Sequence, residues 1–555
     1  MDGGARPAGP EALTPHRPSS RSTATREFVT RPAESPIHAG PLHTPRTGRD
    51  QPSLEAARLE AQRAFDASRP LAARNRLGQY ATPPALAQAV VRLGLSHLPA
   101  GAALRFLDPA VGTGAFYSAL LALRGERPID GAEGIELDPV VAGHARALWG
   151  AEGLTVHEAD FTQRAPPPGG GANLLLANPP YVRHHHLDRE AKASLHTRLS
   201  AATGLRLSGL AGLYCYFLLL SRPWMADGGI AVWLIPSEFM DVKYGEAVRR
   251  FLLQQVTLHR VHRADPTEVQ FGDALVSSAV VVLENRPPAS DHQVRFTFGG
   301  SLEAPRVDRW IDLPTLSAQP KWSRYPVEPD ARPVAEGTPL GELFSVQRGI
   351  ATGCNALFIL DSARVAALGL PAEVLRPILP PPRRLPSDRV DALPDGSPAL
   401  ARPAWLLSCA LPEAELRSRY PTLWQHLEAG IPAVSTAYLC SKRRPWYAQE
   451  RRDPAPLLCT YMGRGRSGRP FRFILNRSRA IAGNVYLMLQ PKPPLQRALE
   501  TDPTTLERIW RYLNGLDAAA LTREGRVYGG GLFKLEPREL GAVVIPPSVL
   551  GASPP

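Results

Sequence analysis

At 555 residues with 44% hydrophobic content, the chain is long enough for two or three domains with their own cores. Its 58 prolines and 46 glycines imply many loops or an unfolded part. Five cysteines without a CxxC pair argue against a disulfide framework or zinc site and fit a reducing cytoplasm, and the net charge of +12 favours an acidic partner. No signal-like segment opens the chain. The most apolar run, AGLYCYFLLL at 211–220, is broken by Ser221, Arg222 and Pro223 and is too short to span a bilayer.

Residues 1 to about 50 are rich in Pro, Ser, Thr, Gly and Arg, lack apolar periodicity and read as disordered. LEAARLEAQRAF (54–65) is a short helix leading into the folded part, so 1–70 reads as tail plus helix. Over 71–290, short apolar runs alternate with helical patterns. RFLDP, IDGAEGIEL, LTVHEADF, NLLLANPP and GGIAVWLIP read as strands of a largely parallel, doubly wound α/β sheet. The last two, HRVHRADP and VSSAVVVLE, are close in sequence and read as an antiparallel hairpin at one edge. The Pro-rich stretch 291–335 reads as a linker, and 336–555 as a second, mixed α/β domain. No internal repeat is found.

RFLDPAVGTGAF (105–116) is a strand, a carboxylate and a glycine turn leading into a helix. Gly112 and Gly114 let backbone approach a ligand beyond the strand ends. A dinucleotide GxGxxG would need glycine where Tyr117 stands, so this is not that fingerprint, and alone the turn reads equally as a cofactor turn or an ordinary tight βα turn. Asp108, Glu136 and Asp160 each close a successive strand. Glu136 stands where a carboxylate accepts ribose hydroxyls, and Asp160 where one accepts from an adenine amine. A ligand carrying adenosine plus an amino or cationic group is implied, and S-adenosylmethionine fits. Upstream, GQYATPP (78–84) precedes a helix, with Thr82 placed to cap it.

LLLANPPYVRHHHL (174–187) ends a buried strand on Asn178, on the same rim as the acids. An adenine amine is a poor nucleophile because its lone pair is delocalised into the ring. Two acceptors, the Asn178 amide oxygen and the Pro179 carbonyl, would hold its hydrogens and favour the pyramidal, reactive form. Pro179 and Pro180 fix φ and so pre-organise the pair, and Tyr181 offers a ring for stacking. Three adjacent histidines cannot converge on one ion, so no metal is expected, and 183–204 reads as a flexible cover.

The ordered set GQYATP, DPAVGTGAF, IELD, EADF, ANPPY, GGIAVWLIPSEFM and VQFGDALVSSAVVVLE resembles the gamma-class amino-methyltransferases of restriction–modification systems, which modify adenine N6 in DNA. The resemblance covers about 74–285. LFSVQRGIATGCNALF, GNVYLMLQP and YGGGLFKLEPREL resemble the target-recognition domain of that class. It implies an S-adenosylmethionine site including Tyr80, Thr82, Asp108, Ala110, Gly112, Gly114, Glu136, Asp160 and Asn178. It also implies that Phe271 stacks on an extruded adenine opposite Tyr181.

Within 441–480 there are 11 Lys plus Arg against two Asp plus Glu, interleaved with Trp446, Tyr447, Tyr461, Phe471 and Phe473. Arginines among rings suit nucleic acid, and Arg443, Arg444, Arg464, Arg466 and Arg469 are the expected contacts to double-stranded DNA. Rival readings are an RNA or protein-glutamine methyltransferase sharing ANPPY, and a catalytically silent DNA-binding module. The basic second domain disfavours a protein substrate, and the intact NPPY disfavours silence. A cytoplasmic monomer is expected, with any restriction endonuclease on a separate chain.

Overall fold

The computed structural model describes residues 50–168, 171–265, 277–325, 336–464, 469–516, 521, 526–528 and 532–551. The tail expected to be disordered lies outside them up to residue 49, as does Phe271.

Nine strands in chain order make one sheet: β1 (Leu104–Asp108), β2 (Ile129–Glu136), β3 (Thr155–Glu158), β4 (Ala172–Ala177), β5 (Met225–Pro236), β6 (Thr257–Arg263), β7 (Ser278–Glu284), β8 (Gln293–Gly300) and β9 (Pro305–Asp312). Their order across the sheet is β3-β2-β1-β4-β5-β7-β6-β8-β9. From β3 to β5 every pairing is parallel, and both faces are apolar as buried parallel strands require. In β4, Leu174 and Leu176 enter one hydrophobic cluster while Leu175 and Ala177 enter the other. The period of two continues in β5, with Val232 and Leu234 on the first face and Trp233 and Ile235 on the second.

Helices cover both faces. On the first lie α1 (Gln51–Ser68), α3 (Pro84–Ser96), α4 (Ala115–Leu123) and α5 (Pro139–Trp149); the short α2 (Leu71–Leu77) links α1 to α3. On the second lie α6 (Arg189–Thr203), α7 (Leu213–Leu220) and α8 (Glu246–Gln254). No helix among the described residues is long and apolar enough to cross a membrane.

Three expectations change. β6 and β7 are antiparallel, but they sit inside the sheet, because β8 pairs parallel with β6 and β9 closes the edge. These two strands come from the stretch expected as a linker, whose flanking prolines mask an alternating pattern that buries Val294 and Phe296. Trp322, also from that stretch, is fully buried against Phe239 and Phe296. The 183–204 segment is no loose cover. Asp188 accepts from the Ala191 N–H to cap α6, and Leu195 and Leu199, one turn apart, are buried.

Beyond residue 336 the chain builds smaller sheets. A five-stranded one orders Phe344–Arg348, Tyr486–Pro491, Leu457–Thr460, Phe473–Asn476 and Arg389–Val390. A three-stranded one orders Met462–Arg464, Leu532–Lys534 and Arg526–Tyr528.

Candidate active site

The strand order reverses between β1 and β4, and in an open α/β sheet the crevice beyond the carboxyl ends at such a point takes the ligand. A cavity of about 410 Å³ opens there, lined by Asp108, Ala110, Gly112, Glu136, Asp160, Tyr80, Thr82, Asn178 and Pro180 among others. The expected cofactor residues are therefore brought together, with one qualification at the glycine turn. Gly112 has φ +54° and open space where a Cβ would stand, as a ligand approach requires. Gly114 (φ +88°) instead faces Trp149: a Cβ there would lie 2.2 Å from the indole nitrogen, which donates to the Thr113 carbonyl at 2.8 Å. Its smallness serves packing, not the ligand.

The acids are anchored by backbone. The Ala110 N–H donates to Asp108 at 3.0 Å. Glu136 accepts from the N–H groups of Gly112 (3.0 Å) and Asp138 (2.9 Å), one on each oxygen. Asp160, which lines the cavity, accepts from both the N–H and the hydroxyl of Thr162 on a single oxygen. Burial pushes the Asp108 carboxyl up to about 8, with Glu136 nearby adding to the shift, and burial raises Glu136 as well. Two desolvated carboxyl groups around a partly apolar cavity suit a ligand that brings hydroxyl and amino donors.

A pH consequence follows for the ligand-free protein. Asp108 binds its proton more tightly folded than unfolded, so its contribution to stability is full below about pH 4 and is lost as pH rises through about 8. Asp108→Asn, fixed in a neutral form, should flatten that part of the melting-temperature profile between about pH 5 and 8, measured by scanning calorimetry. Glu136→Ala should weaken S-adenosylmethionine binding by roughly 1–3 kcal/mol, the cost of leaving buried donors unpaired, as calorimetry would read.

NPPY forms the wall between this cavity and a second, larger space. Asn178 and Pro180 line the cofactor cavity, while Tyr181 lines a cleft of about 1210 Å³. The Asn178 amide nitrogen donates to the Tyr80 carbonyl (3.1 Å) and the Thr82 hydroxyl (3.0 Å). Thr82 thus does not cap α3, whose N-cap is Pro83 without a side-chain bond. Tyr181 is 7% exposed, donates its hydroxyl to the Leu234 carbonyl at 3.0 Å, and packs its ring 5.6 Å from that of Tyr80. Gly78, which opens the GQYATPP motif but has no role assigned from sequence, holds this arrangement. Its carbonyl accepts from the Tyr181 N–H, and at φ +67° an added Cβ would fall 2.3 Å from the Tyr181 nitrogen.

Helix α1 is the larger omission. Expected as a lead-in, it closes the cofactor cavity with Arg58, Gln62, Phe65 and Asp66. Arg58 is 1% exposed, paired with Glu55, and donates to the Thr113 hydroxyl, which in turn donates to Gln62 at 2.9 Å. Arg69, just past its end, bridges to Asp138 at 2.6 Å. The helix pattern is legible in the sequence; its docking on the glycine turn has no local signal.

The larger cleft runs between the sheet domain and the C-terminal part. One wall carries Arg183, Arg206, Lys243 and Arg250; the other carries Arg348, Tyr461, Met462 and Lys534. Arg348 lies over the Tyr461 ring at 4.1 Å, and Lys534 pairs with Glu536 at 2.7 Å.

Part of the basic run at 441–480 is engaged within the protein. Arg443 donates to the Thr352 and Ala351 carbonyls, both at 2.6 Å, and Arg444 to those of Ser441 and Arg443. Arg472 is held by Asp388 and by main-chain carbonyls. The rings do not offer stacking faces: Tyr447, Tyr461, Phe471 and Phe473 are buried, and Trp446 packs on Phe358. Arg469 is exposed, whereas Arg466 and the side chain of Arg464 lie outside the described residues.

Comparison with known proteins gives the family. A family model described as the C-terminal domain of Type II methyltransferase M.Eco57I matches residues 322–553, and one for the Eco57I restriction-modification methylase matches 157–269. The Type II methyltransferase M.XamI of Xanthomonas campestris pv. amaranthicola is 32% identical over 467 residues, 82% of this chain and 83% of that protein. M.AccI of Acinetobacter calcoaceticus is 24% identical over 510 residues, 86% of this chain and 87% of that protein. The solved structure of the type IIL restriction-modification enzyme MmeI in complex with DNA covers 81% of this chain and 62% of that chain, at 14% identity and a TM-score of 0.46. The chain belongs to the Type II methyltransferases of restriction–modification systems, enzymes that use S-adenosylmethionine to methylate DNA.

Proposed function

We propose that the methyl acceptor is the N6 amine of adenine in double-stranded DNA, extruded from the duplex into the cleft beside Tyr181. The observation that carries this is the orientation of Asn178 at the wall between the two cavities. With its amide nitrogen turned to Tyr80 and Thr82, its oxygen is the group left to accept from a substrate amine.

S-adenosylmethionine, when bound, supplies a methyl group on a sulfonium sulfur. Asp108, Glu136 and Asp160 would hold its adenosine and amino groups from the strand ends, and α1 keeps water off that side. Asn178 and the Pro179 carbonyl take one amine hydrogen each, which turns the nitrogen lone pair out of conjugation. So held, the nitrogen would be ready to take the methyl group that the cofactor supplies, with the sulfur keeping the bonding pair, and the surplus proton would pass to water. No side chain has to act as a base. Extrusion follows from geometry, since N6 inside the stack cannot meet a methyl donor. Phe271 is proposed as the second stacking ring on the grounds of the family motif alone.

We assign DNA contact to the cleft walls, with the chain beyond 336 reading sequence and the sheet domain, to 325, doing chemistry. A cognate endonuclease would be a separate chain. Incubating duplex DNA with the protein and S-adenosylmethionine, then digesting to nucleosides for mass spectrometry, should yield N6-methyladenine. N4-methylcytosine in its place would overturn the assignment.

A further inference from the structure

We infer that Thr82 is a positioning residue for methyl transfer, locking in place the Asn178 amide whose end is selected by the Tyr80 carbonyl; this rests on the role of Asn178 proposed above. The two ends of an asparagine amide are nearly the same shape and opposite in chemistry. Turned one way, the oxygen accepts from the adenine amine; turned the other way, an N–H would point at its hydrogens and repel them. The choice therefore has to be built into the surroundings.

Segment 78–82 builds it in three steps. The Gly78 carbonyl accepts from the Tyr181 N–H at 3.2 Å, which fixes the height of the NPPY chain against the segment. The Tyr80 carbonyl, an acceptor only, takes one hydrogen of the Asn178 amide at 3.1 Å and so excludes the reversed amide. The Thr82 hydroxyl takes the other at 3.0 Å, and at 8% exposure it is sheltered from water that would compete for it. With both amide hydrogens committed, neither rotation about the side chain nor a flip is open without losing a bond. Helix capping does not account for Thr82, since α3 starts without a side-chain cap.

Thr82→Val keeps the shape and removes the acceptor. Single-turnover methylation of duplex DNA at saturating S-adenosylmethionine should slow by roughly five- to thirtyfold, the equivalent of one lost buried hydrogen bond. Because Thr82 also lines the cofactor cavity, affinity is measured by calorimetry alongside and the rates are compared at full occupancy, where the slowing should persist; Thr82→Ser should recover most of the rate. In an Asn178→Ala background, Thr82→Val should have no further effect, because the amide it orients is gone. Should the valine variant fail to fold, Thr82→Ala carries the same expectations. An unchanged rate for Thr82→Val, or a loss that appears only in cofactor affinity, overturns the proposal, as does an equal loss in the Asn178→Ala background. If Asn178→Ala itself methylates at the wild-type rate, the underlying assignment of Asn178 fails instead, and the two failures are told apart.

Discussion

Asn178→Ala should slow methyl transfer by ~10²–10³ while cofactor and DNA binding persist, the usual cost of one preorganised polar interaction in a transition state. The structure sharpens that expectation. The residue sits at the end of β4, its neighbours on the strand are fully buried, and its amide is held by a separate segment of chain. Removing the side chain leaves the Tyr80 carbonyl and Thr82 hydroxyl beside a small polar void that water can fill, so the fold should survive. The loss should therefore appear in the rate and not in melting temperature. Asn178→Asp is a harder test, because a carboxylate keeps an acceptor but places negative charge against the Tyr80 carbonyl.

A second large effect is expected in the cleft. Arg183, Arg206, Lys243 and Arg348 are all exposed and line one cavity from two walls, an arrangement that concentrates positive potential where the duplex is proposed to lie. Replacing Arg183, Arg206 and Lys243 together with Ala should weaken DNA binding and reduce the slope of log affinity against log salt by about 0.9 for each phosphate that is no longer neutralised. Cofactor binding should not change. Arg348→Ala, on the wall built by the C-terminal part, should in addition relax preference at one base pair if its guanidinium reads a base edge. Arg443→Ala is a useful contrast: it removes two bonds to main-chain carbonyls and should lower stability rather than the salt slope. Gel-shift titration over a range of salt separates the three outcomes.

That contrast shows where sequence reasoning goes astray. Arginine alternating with aromatic residues at 471–473 looks like a nucleic-acid surface. It is equally the period-two pattern of a half-buried strand, and here Phe471 and Phe473 enter the core while Arg472 turns out to Asp388. Composition cannot separate the two because both put a cation beside a ring. The cleft cations escape notice for the opposite reason. Arg183, Arg206 and Lys243 stand far apart in the chain, and only the fold gathers them.

The cofactor rim was legible because each acid and Asn178 closes a strand, so strand phase alone places them together. The seven strands before residue 285 were legible as apolar runs. β8 and β9 were not, since their alternation buries one side only and prolines flank them. The docking of α1 on the glycine turn depends on pairings distant in sequence, such as Arg58 with Thr113, which no local pattern encodes.

The central claim is that Asn178, held by segment 78–82, directs methyl transfer to adenine N6 at a specific DNA sequence. Long-read sequencing of DNA from cells expressing the protein, beside cells expressing Asn178→Ala, tests it most directly. The expected result is methylated adenine at one recurring motif in the first sample and none in the second. Modified cytosine, adenine methylation without a motif, or an unchanged pattern with Asn178→Ala would contradict it.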